Sequence, residues 1–504
     1  VGMTRYLLAH DLGTSGNKAT LFSAEGALIQ SVVYPYDTHY FNGTWVEQDA
    51  QDWWKAVCES TRELLKKTEI QADAIEAVSF SGQMMGCLCV DKNGIPLRPA
   101  IIWADQRATE QSAQIDEKIN QYDYYRIVGH RNIASYGIQK FMWIRDHERE
   151  IYERTYKILN AKDYIVYCLT GKFCTDYSDA NSCGFFDLKR LCWSEQLLEY
   201  AKIPIEKLPE IFPSSHIAGG VTDIAARETG LAVGTPVVIG SGDGVAANVG
   251  AGSTEPGTAY CCVGTSAWIA STSEEPIFDE KMRTVTWAHM VPGLYAPNGT
   301  MQYAGGSYNW LKNTICHMEC YLARQNHCSP YEYMNREAEE SKAGSNGVIF
   351  LPYLLGERAP RWDMNAKGCF LGLKPENTRG DILRSVLEGV ALNLSLILDV
   401  LQNNMNIKEI TVLGGGAKGR TWCEIMSDVF QTNLLIPDLL EEAGAMGAAV
   451  NGGVGVGLYK NYSAIQSFIK IKDKIQPSKE NLEIYQETKA KFNEYYNSLK
   501  RAFG

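Results

Sequence analysis

The sequence has no run of eighteen consecutive apolar residues and no excess of positive charge. The first absence predicts that no segment spans a membrane, because a transmembrane helix needs about 20 mainly apolar residues. The formal net charge is -11, and a negative surface repels nucleic-acid phosphates and anionic lipids. The sequence therefore predicts neither a nucleic-acid partner nor a membrane partner. A small phosphorylated ligand is still allowed, since backbone N–H groups bind phosphate even in an acidic protein.

The regular cysteine spacing of a disulfide framework is also missing, although the chain contains 14 cysteines. Near neighbours such as Cys261 and Cys262 lie in apolar strand-like segments, which is typical of reduced core thiols. The apolar segment 6–9 is too short for a secretory signal. Together these observations predict a cytoplasmic protein. One cluster matches no common zinc spacing and favours buried thiols on a helix: Cys316, His317, Cys320, His327 and Cys328.

Two parts of the chain begin with the same local pattern. Residues 5–22 have the composition of strand, tight turn and strand, with Gly13-Thr14-Ser15 in the turn. Residues 259–269 repeat this pattern around Gly264-Thr265-Ser266. A turn that recurs about half a chain later indicates an internal duplication. Helical patterns at 51–67, 382–403 and 420–431 separate strand-like segments, which predicts an α/β fold. The polar tail 474–502 is predicted as a closing helix.

No linker rich in proline, glycine or serine divides these two parts. We place the domain boundary near Gly250, where residues 245–250 are predicted to form a short helix between two cores. This gives an N-terminal domain over 4–250 and a C-terminal domain over 251–504. The two domains would face each other across a cleft, where ligands commonly bind.

The glycine-rich turns suit phosphate chemistry. Such a turn directs several backbone N–H groups into one small space, and its Thr and Ser hydroxyls add further donors. Two matched turns could hold the β- and γ-phosphates of a nucleotide from both sides. Asp11 precedes the first turn, where its carboxylate could hold Mg²⁺ directly or through water. A single turn of this kind with a capping aspartate would be only structural, whereas the matched pair favours phosphate binding.

Asp243 follows the strand-like segment 235–240 and lies between two glycines at a predicted helix start. The structural interpretation of such an aspartate is an N-cap. Its small neighbours favour the close approach of a ligand, which suits a catalytic base for a hydroxyl nucleophile. Phosphoryl transfer requires an aligned hydroxyl, neutralised phosphate charge and one accepted proton.

A competing hypothesis rests on Gly414-Gly415-Gly416-Ala417-Lys418-Gly419, which matches the dinucleotide pattern G-x-G-x-x-G. Asp438 follows at about the distance of a ribose-binding acid. This pattern predicts a nicotinamide-dependent oxidoreductase, but it leaves both turns and Asp243 without a role. No Walker A sequence is present, which disfavours a P-loop kinase.

A series of short motifs runs in one order from about residue 6 to residue 457. They are Asp11-Leu12-Gly13-Thr14-Ser15, Trp45-Val46-Glu47-Gln48-Asp49, Ser81-Gly82-Gln83-Met84, Trp103-x-Asp105-x-Arg107, Lys140-Phe141-Met142-Trp143, Asp163-Tyr164, Gly356-Glu357-Arg358, Gly368-x-Phe370-x-Gly372-Leu373 and Asp381-Ile382-x-x-Ser385. In these motifs the chain resembles the FGGY carbohydrate kinases, especially their xylulokinase-like branch. The resemblance implies an actin/hexokinase-type ATPase fold with two ribonuclease-H-like domains.

The resemblance also implies roles for residues. Asp243 would be the base that activates a sugar hydroxyl, and Asp11 would assist Mg²⁺. The acceptor sugar would contact Gln83, Met84, Met85, Trp103, Asp105, Arg107 and Gly244. ATP would contact Gly13, Thr14, Ser15, Lys18, Gly264, Thr265, Ser266, Gly305, Asn309, Gly415, Gly416 and Ala417. Homodimers are common in families of this kind, which leaves a homodimer open.

Departures from the family pattern concern the acceptor. Met85 stands where xylulokinases usually have histidine, and Gly244 stands where they usually have asparagine. Both family residues contact sugar hydroxyls, so their loss removes polar demands on the acceptor. A ketopentose such as xylulose therefore competes with a deoxyketose, a polyol or gluconate. His10 is a further departure, which would either pair with Asp11 or fill the strand. An actin-like nucleotide-binding scaffold, the non-enzyme alternative, would need neither Asp243 nor the Trp103 motif.

Overall fold

The computed structural model describes residues 5–504, so residue 4 of the predicted N-terminal domain lies outside the described residues. The strands of the first half are β1 Tyr6–Leu12, β2 Gly16–Ser23, β3 Leu28–Pro35, β4 His39–Phe41, β5 Trp45–Gln48, β6 Ile75–Gly82, β7 Leu88–Val90, β8 Ala100–Ile101, β9 Lys157–Leu159, β10 Cys174–Asp176, β11 Phe186–Asp187, β12 Cys192–Trp193, β13 Glu210–Phe212, β14 Ile217–Gly220, β15 Pro236–Val238 and β16 Ser241–Gly242. Its helices are α1 Ala50–Thr68, α2 Thr109–Asp116, α3 Gln121–Val128, α4 Gly137–His147, α5 Arg149–Arg154, α6 Ala161–Thr170, α7 Tyr177–Ser182, α8 Glu195–Ala201, α9 Asp223–Thr229 and α10 Asp243–Gly250.

The second half continues this alternation, which confirms the predicted α/β fold. Its strands are β17 Ala259–Val263, β18 Ala267–Ser271, β19 Val285–Ala288, β20 Tyr295–Met301, β21 Ile349–Leu351, β22 Cys369–Leu371, β23 Glu409–Leu413, β24 Asn433–Pro437 and β25 Ile471–Ile475. Its helices are α11 Gly305–Ile315, α12 His317–Gln325, α13 Pro330–Glu340, α14 Arg379–Gln402, α15 Arg420–Phe430, α16 Ala443–Gly455 and α17 Leu482–Leu499.

The two large sheets share one topology. The first sheet has the order β14-β15-β6-β1-β2-β3, and the second has β25-β24-β23-β17-β18-β20 with β19 added at the edge. In each sheet a three-stranded antiparallel meander is followed by two parallel strands and an antiparallel edge strand. The same pairing arises from two separate stretches of chain. The duplication predicted from the two Gly-Thr-Ser turns is therefore confirmed.

Long helices cover these sheets where the sequence predicts them. Helix α1 begins at the side-chain cap of Asp49 and buries Trp53, Val57 and Leu64 against the first sheet. Helix α14 begins at the capping box of Thr378 and Asp381 and lies in the core of the second half. Within residues 5–504, α14 alone has the length and apolar composition of a membrane span, and 83% of that apolar window is buried inside the fold. Its apolar surface is thus accounted for by core packing.

The C-terminal stretch departs from the prediction in two places. Residues 443–468, including α16, pack against the first sheet and α10 rather than against the second sheet. Alanine and glycine make this approach close: a Cβ on Gly447 would lie 2.0 Å from the Ala246 carbonyl oxygen. The closing helix begins only at Leu482, since residues 471–475 form β25 at the sheet edge. Pro477 explains this, because proline disfavours helix at the residue before it.

Candidate active site

A cavity of about 480 Å³ lies between the two large sheets. Residues from both halves form its wall, which carries the aromatic side chains of Tyr136, Trp268, Trp287 and Trp362. The predicted site residues that line it are Asp11, Gly13, Thr14, Met84, Met85, Trp103, Asp243, Gly244 and Ser266. The fold therefore brings the first turn, the second turn and Asp243 to one open cleft.

Asp243 is the first residue of α10, and Gly242 takes the cap position before it. The aspartate is therefore not the N-cap. A Cβ at Gly242 would lie 2.4 Å from Cγ of Met84, so glycine is needed for the helix to start this close to the cavity wall. The carboxylate opens into the cavity and accepts a hydrogen bond from the Gly244 N–H at 2.8 Å. The Asp243 side chain is exposed to the open cleft. Desolvation by the surrounding protein, and then the charge of Asp11, nevertheless raise the pKa of Asp243 to about 7. Such a carboxylate can accept a proton near neutral pH.

Asp11 lies near the end of β1 and shares the cavity with Asp243. Its Oδ1 accepts a hydrogen bond from the Ser81 hydroxyl at 2.9 Å. Burial raises the pKa of Asp11 above its ordinary value, although Ser81 and Lys18 act in the opposite direction. A Cβ at Gly444 would lie 3.3 Å from Oδ2, so this glycine leaves room beside that oxygen. A carboxylate oxygen with open space beside it fits Mg²⁺, which binds few protein carboxylates and keeps several waters.

His10 lies on the opposite face of β1 and does not pair with Asp11. Its Nδ1 lies 3.0 Å from the Asn17 amide nitrogen, and its ring stacks on Phe80. Burial lowers the pKa of His10 to about 3, so the ring is neutral. The sequence left two interpretations open for His10. The structure supports the second, in which the ring fills the core beside β1.

The two Gly-Thr-Ser turns have equivalent positions at the ends of β1 and β17. In the first, Thr14 Oγ1 accepts a hydrogen bond from the Trp103 ring N–H at 3.0 Å, and Ser15 is exposed at the tip. In the second, Thr265 takes the exposed position of Ser15. The place of Asp11 is taken there by Cys262, which also lines the cavity. Of the two turns, only the first therefore supplies a carboxylate.

The remaining predicted nucleotide residues gather around the second turn, outside the cavity wall. The Gly305 N–H donates to the Gly264 carbonyl at 2.9 Å, and a Cβ at Gly305 would lie 2.4 Å from that oxygen. A Cβ at Gly416 would lie 2.5 Å from the Val263 side chain, which precedes the turn. Gly415 and Ala417 belong to the same short 3-10 helix as Gly416, and Asn309 lies one helical turn after Gly305. The structure thus groups these residues as the sequence predicts.

Lys18 is the exception among the predicted nucleotide residues. Its ammonium forms an ion pair with Glu442 at 3.1 Å and donates to the Glu441 carbonyl at 2.9 Å. These contacts join β2 to the segment before α16. An ammonium has three N–H donors, so these two contacts leave one available, and the role of Lys18 as an ATP ligand stays a prediction.

Gln83, Asp105 and Arg107 do not reach the cavity. The Asp105 carboxylate and Arg107 guanidinium form a buried ion pair at 2.7 Å, and the guanidinium lies 4.0 Å from the Trp45 ring centroid. Gln83 donates to Gln48 Oε1 at 2.8 Å. Most of their polar groups are directed to protein partners, although Gln83 Oε1 and Arg107 Nη1 have none within the described part of the chain. In this structure the three residues support the wall behind Trp103, and their contact with the acceptor stays a prediction.

Sequence analysis missed several residues of the cavity wall. Arg358 is its only lysine or arginine, and within residues 5–504 its guanidinium forms no ion pair. Glu357 points away from the cavity and accepts hydrogen bonds from Gln302 N–H and Asn393. Arg358 was visible in the Gly356-Glu357-Arg358 motif. Tyr136 and Trp287 carried no such signal, since packing alone brings their distant segments together.

Comparison with known proteins agrees with this architecture. The FGGY family of carbohydrate kinases matches with its N-terminal domain over residues 6–250 and its C-terminal domain over residues 259–456. The xylulose kinase of Staphylococcus epidermidis is 32% identical over 498 residues, which cover 98% of this chain and 97% of that protein. The gluconokinase of Bacillus subtilis is 30% identical over 469 residues, which cover 93% and 91%.

A solved structure supports the same assignment. The crystal structure of xylulose kinase from Rhodospirillum rubrum has a TM-score of 0.92 and 29% identity, covering 99% of this chain and 100% of that one. The family match spans both halves, including both turns and Asp243. From the cavity, the duplicated sheets and these matches, we conclude that the chain belongs to the FGGY family of carbohydrate kinases.

Proposed function

We propose that this protein transfers the γ-phosphoryl group of ATP directly to a hydroxyl of a sugar, with Asp243 as general base. The observation that carries this proposal is the Asp243 carboxylate, raised in pKa to about 7 inside a cavity bordered by two phosphate-type turns. The carboxylate accepts the proton of the acceptor hydroxyl as its oxygen bonds to the γ-phosphorus, and ADP leaves in line with the attack. The family match overturns the oxidoreductase hypothesis for residues 414–419.

On the nucleotide side, the backbone N–H groups of both turns would hold the phosphates, and the Gly305 and Gly415–Ala417 region would hold the nucleoside. Mg²⁺ bound with ATP would supply positive charge for the transferring phosphoryl group. Asp11 would hold this ion directly or through water, since Oδ2 faces the space that Gly444 leaves open. The free state of all 14 cysteines supports a reducing, cytoplasmic location.

The acceptor side is formed by Met84, Met85, Trp103 and Gly244. Met85 adopts a left-handed backbone conformation with φ of 63°. Its N–H donates to the Ser182 hydroxyl at 3.1 Å, and its carbonyl accepts from Lys140 at 2.8 Å. These contacts fix the backbone of Met85, whose thioether would then lie against the acceptor. We propose a ketopentose such as xylulose as the acceptor, in line with the Staphylococcus epidermidis relative.

Gluconate is a second candidate acceptor, favoured by Arg358. A guanidinium without an ion-pair partner in an enclosed wall suits a carboxylate, because charge-assisted bidentate bonds offset its desolvation. Burial raises the pKa of the Tyr136 phenol, and Arg358 lies close enough to that phenol to oppose the rise. A gluconate carboxylate at this position would place the opposite end of the molecule toward Asp243. The relative from Bacillus subtilis named gluconokinase supports this candidate.

An ADP-release assay tests both candidates. Wild-type protein with MgATP is supplied with D-xylulose, a 1-deoxyketose, xylitol or D-gluconate, and we expect turnover only when the right acceptor is present. Asp243→Asn should reduce kcat about 10²- to 10⁴-fold while ATP binding persists. Asp223→Asn is the matched control, since Asp223 is also the first residue of its helix. Acceptor-independent ATP turnover that Asp243→Asn leaves unchanged would contradict the mechanism.

A further inference from the structure

Behind the acceptor wall lies a buried ionic cluster formed by Lys162, Asp163, Asp176 and Asp179. The Lys162 ammonium is 2.7 Å from Asp163 Oδ1, 2.9 Å from Asp176 Oδ1 and 3.0 Å from Asp179 Oδ2. None of these four side chains is exposed by more than 1%. Buried ions are costly unless they are paired and hydrogen-bonded, so the cluster calls for an explanation beyond fold stability.

One branch of the cluster leads to the segment that carries Asp243. Asp176 Oδ2 accepts a hydrogen bond from the Ser178 hydroxyl at 2.6 Å. The same hydroxyl oxygen accepts the Gly242 N–H at 2.9 Å. Gly242 is the residue immediately before Asp243 and the cap position of α10. The hydroxyl of Ser178 therefore joins the charged cluster to the backbone that positions the general base.

Two other branches lead to the acceptor wall at Met85. Asp163 Oδ2 accepts the Asn160 N–H at 3.0 Å, and Asn160 Oδ1 accepts the Gly86 N–H at 3.0 Å. From Asp179, the backbone carbonyl accepts the Ser182 hydroxyl, and that hydroxyl accepts the Met85 N–H. The left-handed conformation of Met85 is thus held from behind by the helix that contains Asp179.

We propose that Lys162 and its three aspartates are positioning residues that set the place of Asp243 relative to the acceptor wall. This inference rests on the proposed kinase function. One ammonium fixes the Asp176 and Asp163 carboxylates, whose hydrogen-bond chains end at Gly242 and at Gly86. It also pairs with Asp179, whose backbone carbonyl starts the chain to Met85. Burial opposes the charge of Lys162, but the three carboxylates outweigh it and raise its pKa well above the ordinary value. The ammonium therefore stays charged, although burial also raises the pKa of Asp163 and raises that of Asp179 well above its ordinary value.

Two serine variants test separately the hydrogen-bond branch to Gly242 and the branch to Met85. Ser178→Ala removes the bond to Gly242 and should lower kcat by about 10-fold or more, because small misplacements of reacting groups are costly. Its acceptor KM and its KM for MgATP should stay within about twofold of wild type. Ser182→Ala removes the bond to Met85 and should raise the acceptor KM by about fivefold with a smaller effect on kcat. The acceptor is D-xylulose or D-gluconate, whichever the wild-type protein turns over faster.

Ser395→Ala is the matched control, because Ser395 is a buried serine whose hydroxyl donates to Leu392 within α14, away from the cavity. Amide hydrogen exchange gives a readout without turnover: Ser178→Ala should speed exchange at Gly242, and Ser182→Ala at Met85. The inference is overturned if both variants match Ser395→Ala in kinetics and exchange. If Ser178→Ala does not fold, the Ser182→Ala result decides by the same criterion. Loss of the proposed function would instead appear as wild-type inactivity with every acceptor, while the exchange test still applies.

Discussion

Lowering the pH from 8 to 6 should reduce kcat/KM for the acceptor by about 10-fold, because Asp243 must be ionised to act as base. With a pKa of about 7, its ionised fraction falls from about nine tenths to about one tenth over this range. An aspartate of ordinary pKa, near 4, would give no change there. The assay is ADP release with MgATP and acceptor both below their KM values, so that the profile reports ionisation in the free enzyme, with ATP binding measured at each pH as the control.

Asp11→Asn provides the internal test of this prediction. The charge of Asp11 adds to the effect of burial in raising the pKa of Asp243, so removing it should move the acid limb of the profile to lower pH. The variant also loses activity because Asp11 holds Mg²⁺ in the proposed mechanism, but the position of the limb is independent of that loss. A flat profile between pH 6 and 8, or a limb unmoved by Asp11→Asn, would refute the reasoning.

The same carboxylate should also affect stability, with a fixed sign. A carboxyl whose pKa is higher in the folded state binds more protons there, so it destabilises the fold once the pH exceeds its unfolded pKa. The destabilisation grows between about pH 4 and pH 7 and is complete above pH 7. Asp243→Asn should therefore raise Tm at pH 8 and change it little at pH 3.5. A lower Tm at pH 8 would contradict this account.

Three glycines give further predictions. Gly305→Ala places a Cβ 2.4 Å from the Gly264 carbonyl and should raise KM for MgATP about 10-fold in steady-state kinetics, with little change in KM for the acceptor, since only nucleotide binding is weakened. Gly444→Ala places a Cβ 3.3 Å from Asp11 Oδ2 and should raise the Mg²⁺ concentration for half-maximal activity several-fold in a magnesium titration. Gly447→Val meets the backbone of α10 and should lower Tm by several degrees in a thermal melt. Gly457→Val is the control, because its Cβ has open space although its φ is positive, and it should lower Tm less.

The sequence predicted the elements whose cause is local. The two Gly-Thr-Ser turns, the strands that precede them and the start of α10 at Asp243 follow from turn chemistry and apolar patterning, and the structure has all of them. The segment 471–475 shows the limit, because Ile471 and Ile475 with three charged residues between them fit an edge strand as well as a helix. Pro477 disfavours a helix that continues through this point, and pairing with β24 selects the strand.

In the site, too, side chains whose position has a local cause were predictable, and those that depend on distant residues were not. Asp11 and Asp243 were identified because their positions beside turns determine where they point. Asp105 and Arg107 pair with each other and also with the distant residues Val46 and Glu47. Lys18 pairs with Glu442, far away in the chain. A motif could indicate that these side chains matter but not whether they face a ligand or another residue.

The return of residues 443–468 to the first sheet has a mechanical consequence. The chain passes between the two halves three times: after α10, before α16 and before β25. Three connections side by side resist twisting and separation, whereas they leave opening and closing about one line free. The hinge line runs beside the end of α10 and the start of α16, where Gly250 meets the Ala443 carbonyl. Opening the cleft therefore moves the second turn, while the two carboxylates of Asp11 and Asp243, both in the first half, keep their spacing.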